Sequence, residues 1–291
     1  MDQELLQPSQ YRISTLSIDT RFADQVYDTT ADFSIRLPST IRNVMRVALT
    51  SVELPLVEHV FSARNGNINF TIDVGGVQTS LTLPAGTYTP SDLATAVQDL
   101  ITSVAATATA TVAYNGSTDR ITVAAGAGPP FALLWESSVG SVAARQKYWG
   151  LGYYLGYRQK VVVVPSGSVG VVAPAPPQVA APAYYLLQLQ CPDMMENTVH
   201  RTAAGSSVPA LAKLVLRNGA FTVQYDDGGN LLRKENTFAQ PTALSQLRVR
   251  LLNAYGELVD MGDVDWSMTF EVVEVVSSCL YGDLNRAYGR C

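Results

Sequence analysis

Apolar and polar positions alternate along most of this chain, and the rhythm changes twice. In "FSIRLP", Phe33, Ile35 and Leu37 face one way and Ser34 and Arg36 the other, which predicts a strand with one buried face. "VMRVALTSVELP" is apolar on both faces and stops at Pro55, as a strand covered on both sides does. From about residue 61 the pattern is mixed. "NINFTIDVGG" and "VQTSLTLPAG" read as two strands joined at Gly75-Gly76. "TYTPSDLATAVQDLITSV" then predicts a helix. Thr89 is placed to cap it, Pro90 suits the first turn, and Asp92 sits at the capping-box position. Leu93, Ala96, Val97, Leu100, Ile101 and Val104 fall on one stripe of that helix. "TATVAYNGSTDRITVAAG" follows as a hairpin turning near Asn115-Gly116.

Residues 165–182, "PSGSVGVVAPAPPQVAAP", have the composition of an extended arm or linker. The last block returns to strands in "AYYLLQLQC", "LAKLVLRN", "AFTVQYDD", "QLRVRLLNAYG" and "WSMTFEVVEVV". The first block has too few strands to bury its apolar faces alone, so it is expected to pair with the last block across the middle one. The predicted fold is mainly β. Residues 1–60 and 183–280 form an antiparallel β-sandwich of jelly-roll-like form. Residues 61–160 are an inserted α+β unit of β-β-α-β-β order, 161–182 an arm or linker, and 281–291 a C-terminal tail.

"YGELVDMGDVDWSMTFEVV" places Asp260, Asp263 and Asp265 close together. Leu247, Val249 and Leu251 alternate with arginines before them, and Trp266, Met268, Phe270 and Val272 alternate with polar residues after them. That is the pattern of a hairpin with a polar tip. The spacing lacks the calcium-loop pattern, so a turn is expected rather than a cation site.

Composition narrows the function classes. Only 15% of the 291 residues are charged, against a usual share of about 25%, which suggests a surface largely covered by other material. The net charge of −5 gives no electrostatic reason for nucleic-acid binding, and Arg42 with Arg46, and Arg248 with Arg250, are local pairs rather than a basic stripe. No secretory signal is expected from "MDQELLQPSQYR", and no apolar run approaches a membrane span of about 20 residues. Cys191, Cys279 and Cys291 form no metal or disulfide spacing and read as free thiols. His59 and His200 have no nucleophile motif around them. Gly150 and Gly152 in "WGLGYYLG" lack the further glycine of a dinucleotide loop. Tyr148, Trp149, Tyr153, Tyr154 and Tyr157 suit core or interface packing better than a sugar platform. Asn69 and Asn115 match the glycosylation sequon, which carries little weight without a secretory signal. No catalytic, cofactor or metal residue is assigned, and the chain is not expected to be an enzyme.

Several stretches, in order, resemble the capsid-associated proteins of nucleocytoplasmic large DNA viruses. These are "YDTTADFSIRLPSTIRNVMRVALTSVELP", "FSARNGNINFTI", "LPAGTYTPSDLATAVQDLI", "YWGLGYYLGY" and "YGELVDMGDVDWSMTFEVVEV", about half of the chain. The resemblance implies a virion structural protein, a minor capsid component that cements capsomers of an icosahedral virus. Its expected partners are the major capsid protein and other minor capsid proteins, with membrane contact under the capsid as a further option. The expected location is the virion, after assembly in the host cytoplasm or nucleus. The alternative is a carbohydrate- or receptor-binding β-sandwich module of a virion fibre, which would need an exposed aromatic face beside polar side chains.

Overall fold

The computed structural model describes residues 11–135, 150–167, 169–191, 198–201, 207–218, 222–226 and 235–276. Two compact units emerge, residues 59–181 and the combination of 1–58 with 182–291. In the first block the strands are β1 (Tyr11–Asp19), β2 (Gln25–Val26) and β3 (Asp32–Pro55). The middle block holds β4 (Asn69–Val74), β5 (Val77–Thr82), helix α1 (Pro90–Ser103), β6 (Thr111–Asn115), β7 (Arg120–Ala124) and β8 (Phe131–Trp135). It continues with the short helix α2 (Leu151–Tyr154), β9 (Val161–Val164) and β10 (Val171–Val172). The last block holds β11 (Tyr184–Gln190), β12 (Thr198–Arg201), β13 (Ser207–Ala210), β14 (Ala212–Val215), β15 (Val223–Asp226), β16 (Glu235–Leu252) and β17 (Ser267–Val275).

The discontinuous unit is built on one eight-stranded antiparallel sheet in the order β1-β17-β3-β16-β11-β14, with β2 and β15 also paired to β3. Its spine is β3, a single strand of 24 residues where the sequence pattern suggests two. Pro38, which the pattern takes for a strand end, lies where β3 bends instead. The register against β16 shifts between Thr237 and Gln246, and Asn43 adopts φ 56°, a left-handed conformation that asparagine tolerates. Before the bend β3 pairs with the second half of β16, with Phe33 opposite Val249. After the bend it pairs with the start of β16 and with β17. A second irregularity at Thr50 changes the parity of β3, so that Leu49 and Val52 both face inward. The sheet thus curls, and residues of both halves, among them Phe33, Val249, Leu187, Val47, Met268 and Phe270, line one core. At about 25 cal/mol per Å² of apolar surface removed from water, this shared core is the main force that holds the first and last blocks together.

The inserted unit has its own core. A four-stranded sheet, β5-β4-β8-β9, and a three-stranded sheet, β10-β7-β6, enclose Phe70, Ile72, Ile121, Leu133 and Trp135. Helix α1 adds Leu93, Ala94, Val97 and Ile101. It starts as its sequence predicts: the Thr89 hydroxyl oxygen accepts from the Asp92 amide at 3.2 Å, and Pro90 occupies the first turn.

The arm expected over 161–182 is corrected. Val161–Val164 pair with β8 and Val171–Val172 with β7, and Val162, Val164 and Ala173 are buried in the inserted unit's core. A run of valines has high strand propensity, and the prolines and glycines around it, which suggested a linker, mark the ends of short strands. The predicted tail at 281–291 lies outside the described residues.

Candidate functional site

The acidic cluster lies on the connection from β16 to β17, and that connection is not a hairpin. The strand between β16 and β17 is β3, drawn from the first block. Leu252 closes β16 beside the start of β3, and Ser267 opens β17 opposite Glu53 near its end. Residues 253–266 therefore link the two halves of the curled sheet. Alternation tells which face of a strand is buried, but it does not tell which strand lies alongside.

The contacts of this connection hold its own path and fasten it to the first block. Asn253 Oδ1 accepts from the amides of Tyr255 and Glu257, at 2.9 and 3.1 Å, and so folds its start. Asp260 Oδ1 accepts from the Gly262 amide. Asp265 Oδ1 accepts from the Thr20 hydroxyl at 2.8 Å, and the Thr20 oxygen in turn accepts from the Trp266 amide. Thr30 donates its hydroxyl to the Val264 carbonyl at 2.7 Å. The buried Trp266 ring meets Phe33 edge-on, with centroids 5.9 Å apart. Asp263 is exposed.

Close by, Asp32 is buried and accepts from Arg248 Nε and Nη2 at 2.8 and 2.7 Å, a forked pair. Arg250 Nε lies 3.5 Å from the same carboxylate, and Arg250 Nη1 donates to Gln188. The guanidinium of Arg248 stacks on Tyr27 at 4.1 Å from the ring centroid. The hydrogen bond to Asp32 raises the pKa of Arg248 and keeps it charged. Arg46 is committed as well, to Glu235 and Glu271 on neighbouring strands.

A second junction holds the inserted unit together. Phe61 and Gly86 exchange backbone hydrogen bonds at 3.0 and 2.9 Å. The Phe61 ring meets Tyr88 and Tyr154 edge-on at 5.6 and 5.4 Å. Tyr88 packs over Gly86, 3.1 Å from where a Cβ would stand. Asn67, fully buried, donates to the Val60 carbonyl and accepts from the Ser62 amide. Trp135 stacks on Tyr157 and touches Phe70. Gly152 lies against the Trp135 ring with no room for a Cβ, and Gly156, at φ 95°, lies equally close to the Ala175 carbonyl. These glycines serve packing.

The remaining candidates are dispersed. His59 belongs to the inserted unit, and His200 lies in β12 opposite Val208 in the other unit. Cys191 is half-buried, while Cys279, Cys291, Tyr148 and Trp149 lie outside the described residues. Asn69 accepts from the Thr82 hydroxyl, and Asn115 caps its turn through the Ser117 and Thr118 amides. Among the described residues, no group of three or more His, Cys, Asp and Glu side chains is placed to hold a metal. The two junctions are what the sequence reading missed, because their partners lie up to 246 positions apart.

No protein-family model matches the chain, and no curated protein does. Among solved structures, the selenomethionine-labelled mavirus penton protein aligns with it at a TM-score of 0.47 and 9% identity, over 92% of this chain and 100% of that one.

Proposed function

We propose that this chain is a structural protein of a viral capsid, a minor component that cements capsomers of a large icosahedral DNA virus. One observation carries the proposal. The stretches that resemble capsid-associated proteins are scattered through the sequence, yet they converge on two structural junctions. "YDTTADFS" meets "VDW" through Thr30, Phe33 and Trp266. "FSARN", "PAGTY" and "LGYYLGY" meet around Phe61. The resembling residues are those that specify the fold, as expected where a scaffold rather than a reaction centre is shared. The low charge of the chain supports a role in which neighbours cover its surface. Its partners would be the major capsid protein and other minor capsid proteins, and its location the virion. The fibre reading gains nothing here, since Tyr154 and Tyr157 pack inward and Arg158 covers Tyr153.

The test is quantitative mass spectrometry of density-purified virus particles. The chain should band with the major capsid protein at constant stoichiometry, also after detergent and salt washes. Its absence from particles, or loss of all of it in the first wash, overturns the proposal.

A further inference from the structure

Three Asn-Gly pairs occur in the chain, at Asn65-Gly66, Asn115-Gly116 and Asn218-Gly219. In such a pair the glycine amide is well placed to attack the asparagine side chain, because no Cβ stands in its way. The fold treats the pairs differently. Asn65 is half-buried, and its side-chain nitrogen donates to the carbonyls of His59 and Val60, both at 3.2 Å. The Gly66 amide donates to the Ala63 carbonyl at 3.0 Å. Both the nucleophile and the leaving group of that pair are thus held. Asn218 also donates from its side-chain nitrogen, to the Val223 carbonyl at 2.8 Å, and Gly219 lies outside the described residues.

Asn115-Gly116 has the opposite arrangement. Asn115 ends β6, and residues 116–119 form the turn into β7, with Asp119 in the left-handed conformation at φ 54°. Residues 115–119 are exposed. Among the described residues, nothing accepts from the Gly116 amide or from the Asn115 side-chain nitrogen. The Asn115 side-chain oxygen, by contrast, accepts from the Ser117 and Thr118 amides at 2.9 and 3.3 Å. Negative charge gathers on this oxygen when a nucleophile adds to the side-chain carbonyl, and donors fixed there beforehand lower the barrier. The Tyr114 hydroxyl donates to Asp119 at 2.9 Å and braces the same turn.

We infer that Asn115 is a site of spontaneous deamidation, at which the Gly116 amide displaces ammonia from the side chain. The Gly116 nitrogen gives up its proton to water and bonds to Cγ of Asn115. The Cγ–Nδ2 bond breaks, and Nδ2 leaves as ammonia after taking a proton from the solvent. The product is a five-membered succinimide. Water then opens the ring at either carbonyl. One opening leaves aspartate at position 115, and the other leaves isoaspartate, with the main chain running through Cγ. Nothing is oxidised or reduced: an amide and water become a carboxylate and ammonium. Either product puts a new carboxylate on the exposed turn that also carries Asp119. This inference stands apart from the capsid proposal.

Peptide mapping by mass spectrometry of the full chain, held for days in mildly alkaline buffer, tests it. Conversion reads as a gain of about one mass unit, as a hydroxyl replaces the amide nitrogen. In the folded protein, Asn115 should convert at least about tenfold faster than Asn65. In urea, where the fold holds neither pair, the two rates should agree within about threefold. Gly116→Ala brings a Cβ no nearer than 3.9 Å to Tyr114, so the turn accommodates it. That variant should slow conversion at Asn115 at least about tenfold, because the methyl group hinders the attack. An Asn115 that stays intact, an Asn65 that converts as fast in the folded chain, a difference that persists in urea, or a Gly116→Ala variant that converts like wild type each overturns the inference.

Discussion

The indole Nε1 of Trp266 donates to the Thr30 carbonyl at 2.8 Å, joining residues 236 positions apart. Thr30 precedes β3 and Trp266 precedes β17, so this bond fastens one half of the curled sheet to the other. Trp266→Phe keeps the edge contact with Phe33 but leaves a buried carbonyl unpaired, and should cost about 1–3 kcal/mol. Trp266→Ala removes the packing as well and should cost about 3–5 kcal/mol. Urea unfolding of both variants, with unchanged m-values, checks the order.

The buried Asp32 depends on Arg248. Removing the arginine alone, as Arg248→Ala, leaves the buried carboxylate with the 3.5 Å contact of Arg250 in place of two short hydrogen bonds and should cost about 1–3 kcal/mol. The double variant Asp32→Asn, Arg248→Ala should lose less than the sum of the losses of Asp32→Asn and Arg248→Ala. A double-mutant cycle by chemical denaturation measures the difference, and additivity would mean that the pair is not coupled.

Glu274 sets an acid limb. Burial pushes its pKa up, but the hydrogen bonds from Arg12 and Ser14 outweigh burial and leave it below the usual glutamate value. A carboxylate with a lowered folded-state pKa contributes stability above its unfolded value, about 4.3, and loses it as pH falls through the folded value. Glu274→Gln should therefore be less stable than wild type at pH 7, and the gap should close as pH drops below about 4. Thermal unfolding across pH 3–7 reads this directly.

We expect the acidic connection to fold without a cation, because Asp260 and Asp265 already accept protein hydrogen bonds. Calcium or EDTA, each at about 5 mM, should leave the melting temperature unchanged within about 1 °C, since a ligand of the folded state would raise it by mass action.

Fragments should behave unequally. Residues 59–181 enclose a core drawn from themselves alone and should fold cooperatively when expressed alone. Residues 182–291 lack β1 and β3, the two neighbours of β17, and should be insoluble or unfold without cooperativity. Circular dichroism and solubility of the two fragments settle the comparison.

Local signals in the sequence are trustworthy where one short segment contains the whole cause. Thr89, Pro90 and Asp92 announce α1 because cap and helix are adjacent. The pairing of the outer blocks is legible for a different reason: Phe33, Trp266 and Phe270 are too apolar to be left without partners. The topology is not legible. Pro38 looks like a strand end, and only the opposing shifts in β16 reveal a bend. β16 and β17 look like a hairpin because nothing local says that β3 lies between them. At the junctions, Thr20, Thr30 and Gly86 have no local signature at all, since each acts through a contact distant in sequence.

The place of β3 also sets a timetable for synthesis. The strand leaves the ribosome well before β16 and β17, which flank it, with β17 ending at Val275. At about 5–20 residues per second, β3 waits on the order of 10–40 s with both edges open. The inserted unit is complete within that interval and is free to fold first. The nascent chain thus carries a long apolar strand that stays exposed until β17 has been made, which makes it a natural client for a chaperone that binds extended segments.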